Sequence, residues 1–306
     1  MDRVLSVNGL VKSYKKHTAV NGTNMNIDRG DIYGFVGENG SGKTTIIRLI
    51  TGLIFPDSGS FELFGVNNSS KDITKARSKV GAIVESPSIY MNMSAYDNLK
   101  NQCDLLGIKD DEKILSALKD VGLEELYDNK KHAGNFSLGM RQRLGIAMAL
   151  LGNPEFLILD EPMNGLDPAG IVDIRELILK LNREHKITFL ISSHILTELS
   201  LVATKYGIIS GGKIIKEITA EELRRECTKT TVISTDNPQK LGEVIKNCID
   251  NQFEYISDSV KIFGNFDLTA LLTSIISSGL KILSINCNET SFEDYYLSVL
   301  GGARPC

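Results

Sequence analysis

The residues best equipped for chemistry are Gly37-Glu38-Asn39-Gly40-Ser41-Gly42-Lys43-Thr44-Thr45. They fit the phosphate-binding pattern G-x-x-x-x-G-K-[ST]. Glycines at this spacing let backbone N–H groups turn inward on an anion, and a helix start adds the positive end of its dipole. Lys43 reaches the outer phosphates as a point charge, and the Thr44 hydroxyl can hold Mg²⁺. An acidic pair, Asp160-Glu161, ends the apolar run Phe156-Leu157-Ile158-Leu159. With that run buried beside the glycine loop, Asp160 supports Mg²⁺ through water, while Glu161 faces the terminal phosphate and polarises an attacking water. Between the two, Asn135-Phe136-Ser137-Leu138-Gly139-Met140-Arg141-Gln142-Arg143 opens a helix. Its residues alone leave two readings open: Ser137 as a plain N-cap, or Ser137 with free N–H groups behind it as a second anion site.

These side chains need a scaffold, and the pattern of apolar residues supplies one. Ile32-Tyr33-Gly34-Phe35-Val36 reads as a strand entering the glycine loop, and Ile46-Ile47-Arg48-Leu49-Ile50 as the helix leaving it. Residues 4–14 and 23–36 read as strands with turns at Asn21-Gly22 and Asp28-Arg29-Gly30, and Val80-Gly81-Ala82-Ile83-Val84 as a buried strand. From about Ser94 to Leu151 the period is helical. Ser94 can cap a helix with Asp97, on which Tyr96, Leu99, Cys103 and Leu106 share one stripe. A second helix spans about Glu112–Val121, and a third follows Ser137 with Leu144, Ala147, Met148 and Leu151. Strand character returns at Phe156–Leu159, a helix runs from Asp167-Pro168 to about Glu184, and Ile187–Ile191 is the next strand. The expected fold is a nucleotide-binding α/β core interrupted by a helical insert.

Near Glu217 the character changes. Short strands at Thr231–Ile233, Glu254–Ile256, Val260–Phe263 and Ile282–Ile285, with helices at Lys240–Asn247 and Leu268–Ser277, give a βαββαβ order. This predicts a small α+β appendage without a chemical motif of its own.

Composition narrows the classes of function. A chain of 306 residues with 42% hydrophobic and 24% charged residues can bury a substantial core. A net charge of -4 gives no electrostatic case for nucleic acid. No apolar run reaches the length of a membrane span, and the start, Met1-Asp2-Arg3-Val4-Leu5, lacks the features of a signal peptide. The five cysteines, Cys103, Cys227, Cys248, Cys287 and Cys306, are scattered without a CxxC pair, which suits reduced thiols rather than zinc or disulfides.

Taken together, residues 3–220 resemble the ATP-binding subunits of ABC transporters. Phe136–Met140 matches the position of the family's signature, usually L-S-G-G-Q, Asn164-Gly165-Leu166-Asp167 matches the loop after the catalytic glutamate, and His194 in Ser192-Ser193-His194 matches the switch histidine. Tyr14 matches the aromatic that stacks on adenine. The resemblance implies a P-loop ABC ATPase core with a β-subdomain and a helical subdomain at about 87–152, all within 1–220, followed by an accessory α+β domain at 221–306. It also implies a head-to-tail dimer with a second copy, sandwiching two ATP molecules. Tyr14, Gly37, Asn39, Gly40, Ser41, Gly42, Lys43, Thr44 and Thr45 would bind one nucleotide, while Ser137, Gly139 and Asp167 would complete the partner's site. Glu161, His194 and Glu85 would be catalytic, and Thr44, Asp160 and Glu85 would serve Mg²⁺.

Two departures are informative. Leu138 and Met140 replace the usual Gly and Gln of the signature, and Glu85, in Val84-Glu85-Ser86-Pro87, replaces a usual Gln. A carboxylate only accepts hydrogen bonds and favours Mg²⁺, whereas an amide also donates. The segments Gly81–Tyr90, Phe136–Met140 and Ser291–Leu297 resemble the bacitracin-resistance and lantibiotic-immunity group. That group implies a cytoplasmic motor, peripheral on the inner face of the membrane. A separately encoded permease would be its partner, contacted by Glu85 and Ile89-Tyr90-Met91-Asn92-Met93, and the task would be removal of a peptide antibiotic. A peptide-sensing ABC system and an ABC ATPase acting on nucleic acid or ribosomes are the alternatives. The second usually carries paired ATPase modules or a coiled-coil insert, which this sequence lacks.

Overall fold

The computed structural model describes residues 2–227, 229–288 and 291–301. The chain divides into two compact units, Met1–Ala220 and Glu221–Cys306.

The first unit opens with a long antiparallel pair, β1 (Arg3–Tyr14) and β2 (His17–Asp28), and then the fully buried β3 (Ile32–Val36), which delivers the glycine loop to α1 (Lys43–Thr51). The Asn21-Gly22 step is not the expected turn. The chain turns at Lys15-Lys16, and Asn21-Gly22 lies inside β2 at a register shift, with Gly22 at φ 70. The Asn21 N–H donates to the Gly212 carbonyl at 2.8 Å, so a bulge rather than a reversal uses the glycine. β4 (Ser58–Leu63) and β5 (Val66–Asn67) complete a four-stranded sheet in the order β2-β1-β4-β5.

After α2 (Ile73–Arg77) and β6 (Val80–Ile83) come three helices, α3 (Ala95–Leu106), α4 (Glu112–Asp120) and α5 (Leu138–Leu150). Ser94 and Asp97 form a reciprocal capping box at the start of α3. Its buried side is Ala95, Asn98, Leu99 and Cys103, whereas Leu106, expected on the stripe, is 48% exposed. The chain then returns through β7 (Phe156–Asp160), α6 (Pro168–His185), β8 (Thr188–Ser193), α7 (Leu196–Ser200), β9 (Lys205–Ser210) and β10 (Lys213–Thr219).

The central sheet has the order β10-β9-β3-β8-β7-β6, parallel except at β9–β10. Helix α1 is apolar on most of its circumference, because one core holds Ile46, Ile47, Leu49 and Ile50 together with Val4, Leu10 and Phe61 of the first sheet and Phe156, Ile158 and Leu190 of the second. Each such burial contributes roughly 1.5–3 kcal/mol. The helix that carries Lys43 and Thr44 is therefore fixed from both sides. Parallel pairing also brings the carboxyl ends of β3, β6, β7 and β8 to one edge, where open α/β sheets place their sites.

In the second unit, α8 (Ala220–Glu226) leads into β11 (Thr230–Thr235), α9 (Pro238–Cys248), β12 (Phe253–Ile256), β13 (Ser259–Phe263), α10 (Leu268–Ser277), β14 (Ile282–Asn288) and α11 (Phe292–Gly301). Its antiparallel sheet has the order β12-β13-β11-β14. Ile233, Val260 and Ile262 of the sheet pack against Leu241 and Ile245 of α9 and Leu271 and Ile275 of α10. Cys103, Cys227, Cys248 and Cys287 are free thiols, and Cys306 lies outside the described residues.

Candidate functional site

The glycine loop encloses the end of α1. Gly42 is the N-cap at φ 109, with no side-chain cap and no acidic residue in the first turn, so the N–H groups there face outward unanswered. A Cβ at Gly42 would lie 2.5 Å from the Ala19 carbonyl oxygen, so only glycine brings the loop this close to β2. Lys43 is 5% exposed, and its Nζ donates to the carbonyls of Gly37 at 2.6 Å and Glu38 at 3.2 Å. The Ser41 hydroxyl is buried without a protein partner. A cavity of about 330 Å³ opens here, lined by Tyr14, His17, Ala19, Asn39, Gly40, Gly42, Lys43, Thr44, Thr45 and Glu161. Donors converge on it from a helix start, a lysine and a glycine loop, which suits a polyphosphate.

The acids stand at the neighbouring strand end. Asp160, the last residue of β7, is 2% exposed, and its Oδ1 accepts from Ser192 Oγ at 2.5 Å. The same hydroxyl accepts from the Glu161 N–H at 2.9 Å, so Ser192 ties together both acidic residues across the β7–β8 pairing. Glu161 sits at φ 51, and its carboxylate bridges two groups: Oε1 lies 3.4 Å from Lys43 Nζ, and Oε2 is 2.7 Å from His194 Nδ1. His194 itself leaves the end of β8. One carboxylate thus joins the phosphate loop to the histidine. Behind them, Oε2 of Glu198 is buried without a partner; burial raises its carboxyl above the ordinary range, with His194 opposing and Glu161 reinforcing. The donor set fits Mg²⁺, since a threonine hydroxyl and one carboxylate leave room for phosphate oxygens and water.

The remaining expected residues fall into two groups. Tyr14, 43% exposed, stands at the cavity beside His17, its paired residue across the hairpin. Ser137, Gly139 and Asp167 are not among the residues lining that cavity. Ser137 is the exposed N-cap of α5, accepting from the Met140 N–H at 3.1 Å, and Asp167 caps α6 by accepting from the Gly170 N–H at 3.2 Å. The two helix starts adjoin one another: a Cβ on Gly165 would lie 3.4 Å from Leu138 Cδ2, and one on Gly139 would lie 4.0 Å from Gly170 Cα.

Glu85 is not brought to the cavity. Its backbone follows β6 to the same sheet edge, but its carboxylate pairs with Arg48 at 2.6 Å and its side chain is 63% exposed. Beyond it, the Tyr90–Met93 segment is held by buried Asn98, which accepts from the Tyr90 N–H at 2.8 Å and donates to the Tyr90 carbonyl at 3.1 Å. Tyr90 and Met91 are left 52% and 51% exposed.

Sequence reasoning missed Ser192, His17, Ala19 and Arg48. Ser192 carried a usable signal, a hydroxyl ending a buried strand next to an acid-ending one. Arg48 carried another, a cation one helical turn after Thr44. His17 and Ala19 reach the cavity only through the pairing of β1 and β2, which no local pattern announces.

A central parallel sheet, a glycine loop feeding a buried helix, and an acid-ending strand beside it define a P-loop nucleotide-binding protein. The comparisons are more particular. The ABC transporter family profile matches residues 20–164. The bacitracin transport ATP-binding protein BcrA of Bacillus licheniformis is 39% identical over 99% of each chain. The lantibiotic transport ATP-binding protein SrtF of Streptococcus pyogenes is 46% identical over 70% of this chain and 90% of its own. Among solved structures, cbiO1 of Clostridium perfringens, part of the ABC transporter complex cbiONQ, matches with a TM-score of 0.65 and 30% identity over 73% of this chain and 91% of that one. A dimeric ATP-binding cassette in a post-hydrolysis state, bound to ADP and Pi, matches with a TM-score of 0.63 and 25% identity over 71% and 98%. The chain belongs to the ABC transporter ATP-binding proteins and is an ATP-hydrolysing transporter subunit.

Proposed function

We propose that this subunit drives the export of bacitracin-like or lantibiotic peptides from the bacterial membrane, working at the inner face with a separately encoded permease. The proposal takes its substrate class from relatives of that description, one of which runs the full length of both chains. No described helix is long and apolar enough to cross a membrane, so the reading assigns the crossing to a partner. A groove of about 540 Å³ whose lining includes Leu53, Val84, Pro87, Leu106 and Met148, together with the outward side chains of Tyr90 and Met91, supports a contact with it.

The observation that carries the mechanism is the bridge made by Glu161 between Lys43 and His194. In our reading the N–H groups of Asn39–Thr45 and the Lys43 ammonium hold the phosphates, with Tyr14 against the adenine. Thr44 and Asp160 hold Mg²⁺, which when bound neutralises charge on the phosphate oxygens. Glu161 accepts the proton of the attacking water, and His194 orients Glu161 and contacts the terminal phosphate. Ser137 and Gly139, standing off their own cavity, would face the nucleotide of a second copy arranged head to tail, with Asp167 at the join.

Growth of cells expressing this chain with its permease, across bacitracin and nisin-like lantibiotics, tests the reading. Protection that disappears with Glu161→Gln supports it. Intact ATPase activity without protection against any of these peptides would refute the substrate class while leaving the motor standing.

A further inference from the structure

Glu85 occupies an unusual conformation for a side chain that is merely solvated. It sits at φ 63, and the N–H of Ser86 donates to the carbonyl of Val84 at 2.8 Å, closing a γ-turn of the rare, strained form around it. Left-handed backbone at a non-glycine residue persists where something over-determines it. In this conformation the Glu85 carboxylate pairs with Arg48 at 2.6 Å. Arg48 lies on α1 four residues after Thr44, and side chains at that spacing sit on one helix face about 5–6 Å apart. The β6–β7 register, with Ile83 opposite Leu159, carries the Glu85 backbone out of the sheet alongside the segment that holds Asp160 and Glu161. The carboxylate is therefore one helical turn from the Thr44 hydroxyl, on the correct edge, and turned the other way.

We propose that Arg48 is a positioning residue that latches Glu85 away from the phosphate cavity, and that Mg·ATP draws the carboxylate along α1 from Arg48 to the Thr44 end. This rests on the reading of Glu85 as a carboxylate for Mg²⁺. A glutamine at this position would lack the charge that makes Arg48 and the metal competing partners, so the device belongs to the Glu85-bearing form of the site. Arg48 then sets how much Mg²⁺ the nucleotide needs. An exposed ion pair of this kind shifts an equilibrium by about fivefold at most.

The test uses the full chain carrying Glu161→Gln, so that nucleotide stays intact, with ATP binding measured by calorimetry over a series of Mg²⁺ concentrations. Arg48→Met should lower the half-saturating Mg²⁺ about two- to fivefold, and Arg48→Lys by less. Hydrogen exchange at the Ser86 amide, without nucleotide, should speed up in Arg48→Met as the γ-turn loosens. Combined with Glu85→Gln, Arg48→Met should shift nothing further. The latch is overturned if Arg48→Met leaves the Mg²⁺ dependence unchanged while Glu85→Gln alters it. It is equally overturned if Arg48→Met acts identically in the Glu85→Gln background, because Arg48 would then act on phosphate directly. If Glu85→Gln alone leaves the Mg²⁺ dependence unaltered, the metal reading of Glu85 fails, and the latch falls with it.

Discussion

Ser192→Ala removes one oxygen and, by this geometry, loosens both acids of the site. The hydroxyl donates to buried Asp160 at 2.5 Å, and a hydrogen bond to a charged group contributes about 1.5–3 kcal/mol. It also accepts from the Glu161 N–H at 2.9 Å, a neutral bond of about 0.5–1.5 kcal/mol. That second loss is softened, because the same N–H reaches the Ser192 carbonyl at 3.2 Å. The sum is about 3 kcal/mol. For a unit the size of Met1–Ala220, where 1 kcal/mol moves the midpoint by about 2–4 °C, the transition should fall by about 6–12 °C. ATPase kcat should fall about tenfold or more, since each 1.4 kcal/mol of misplaced transition-state contact costs a factor of ten. Ser193→Ala is the control: its Oγ accepts from the Ile195 N–H at 2.9 Å, and its loss should cost about 1 kcal/mol. Thermal unfolding and phosphate release, measured on both variants, decide the matter. A Ser192→Ala midpoint within about 2 °C of the parent, or a loss no larger than that of Ser193→Ala, would refute the tying role of Ser192.

Three further outcomes are expected. Glu161→Gln should bind ATP normally but hydrolyse it about 10²–10⁴ times more slowly, and ordinary turnover in a phosphate-release assay would remove Glu161 as general base. Gly42→Ala should weaken ATP binding at least about tenfold by calorimetry, because a left-handed alanine costs about 1–2 kcal/mol and its Cβ also meets the Ala19 carbonyl at 2.5 Å. Glu198→Gln should raise the melting midpoint near pH 8 and leave it unchanged near pH 4. Burial raises the folded-state pKa of Glu198, so the folded state holds that proton more tightly, and stability falls as pH rises from the unfolded value through the folded one. A gain that is equal at both pH values in scanning fluorimetry would contradict that sign.

Where the sequence was legible, local patterning and tertiary demand agreed. The glycine loop, α1 and β7 could be read because a run such as Phe156–Leu159 is apolar at every position only when both faces of its strand are covered, as they are. The appendage was legible for the opposite reason: Thr231, Ile233 and Thr235 alternate with half-buried neighbours, the period of a sheet with one covered face. The Asn21-Gly22 step misled because its dipeptide is the usual hairpin signal, while long-range pairing with Gly212 used it as a bulge. Leu106 misled because helical spacing marks a face without saying where its cover ends. Within the site, residue types announced Lys43, Thr44 and the acids. Ser192 as their tie was marked only by a hydroxyl near the end of a buried strand, and the turning of Glu85 toward Arg48 was illegible, since a pair separated by 37 residues is set by backbone twist and not by spacing.

The geometry also explains how neighbouring acids on one strand can serve a single site. Successive side chains in a regular strand point to opposite faces, so a strand continued past Asp160 would send Glu161 away from it. The strand stops there instead. Glu161 takes φ 51, its N–H turns to both the hydroxyl and the carbonyl of Ser192, and its carboxylate comes round to Lys43 and His194. The left-handed backbone costs about 1–2 kcal/mol at a non-glycine residue, and the two hydrogen bonds from one N–H offset it. Glu85, two residues past the end of β6, also has a positive φ, 63, but closes a γ-turn and has its carboxylate turned outward to Arg48. Neighbouring parallel strands are thus each followed by an acid at positive φ, with opposite results. In one the acid is held in the site by a hydroxyl, and in the other it is held out of the site by a cation. The Ser192 tie reaches Glu161 through its backbone N–H and leaves that carboxylate free of the tie, whereas the Glu85 carboxylate is itself engaged by a cation that a divalent ion would have to displace. The fixed acid is therefore suited to the chemistry, and the acid on the latch is suited to reporting that Mg·ATP has arrived.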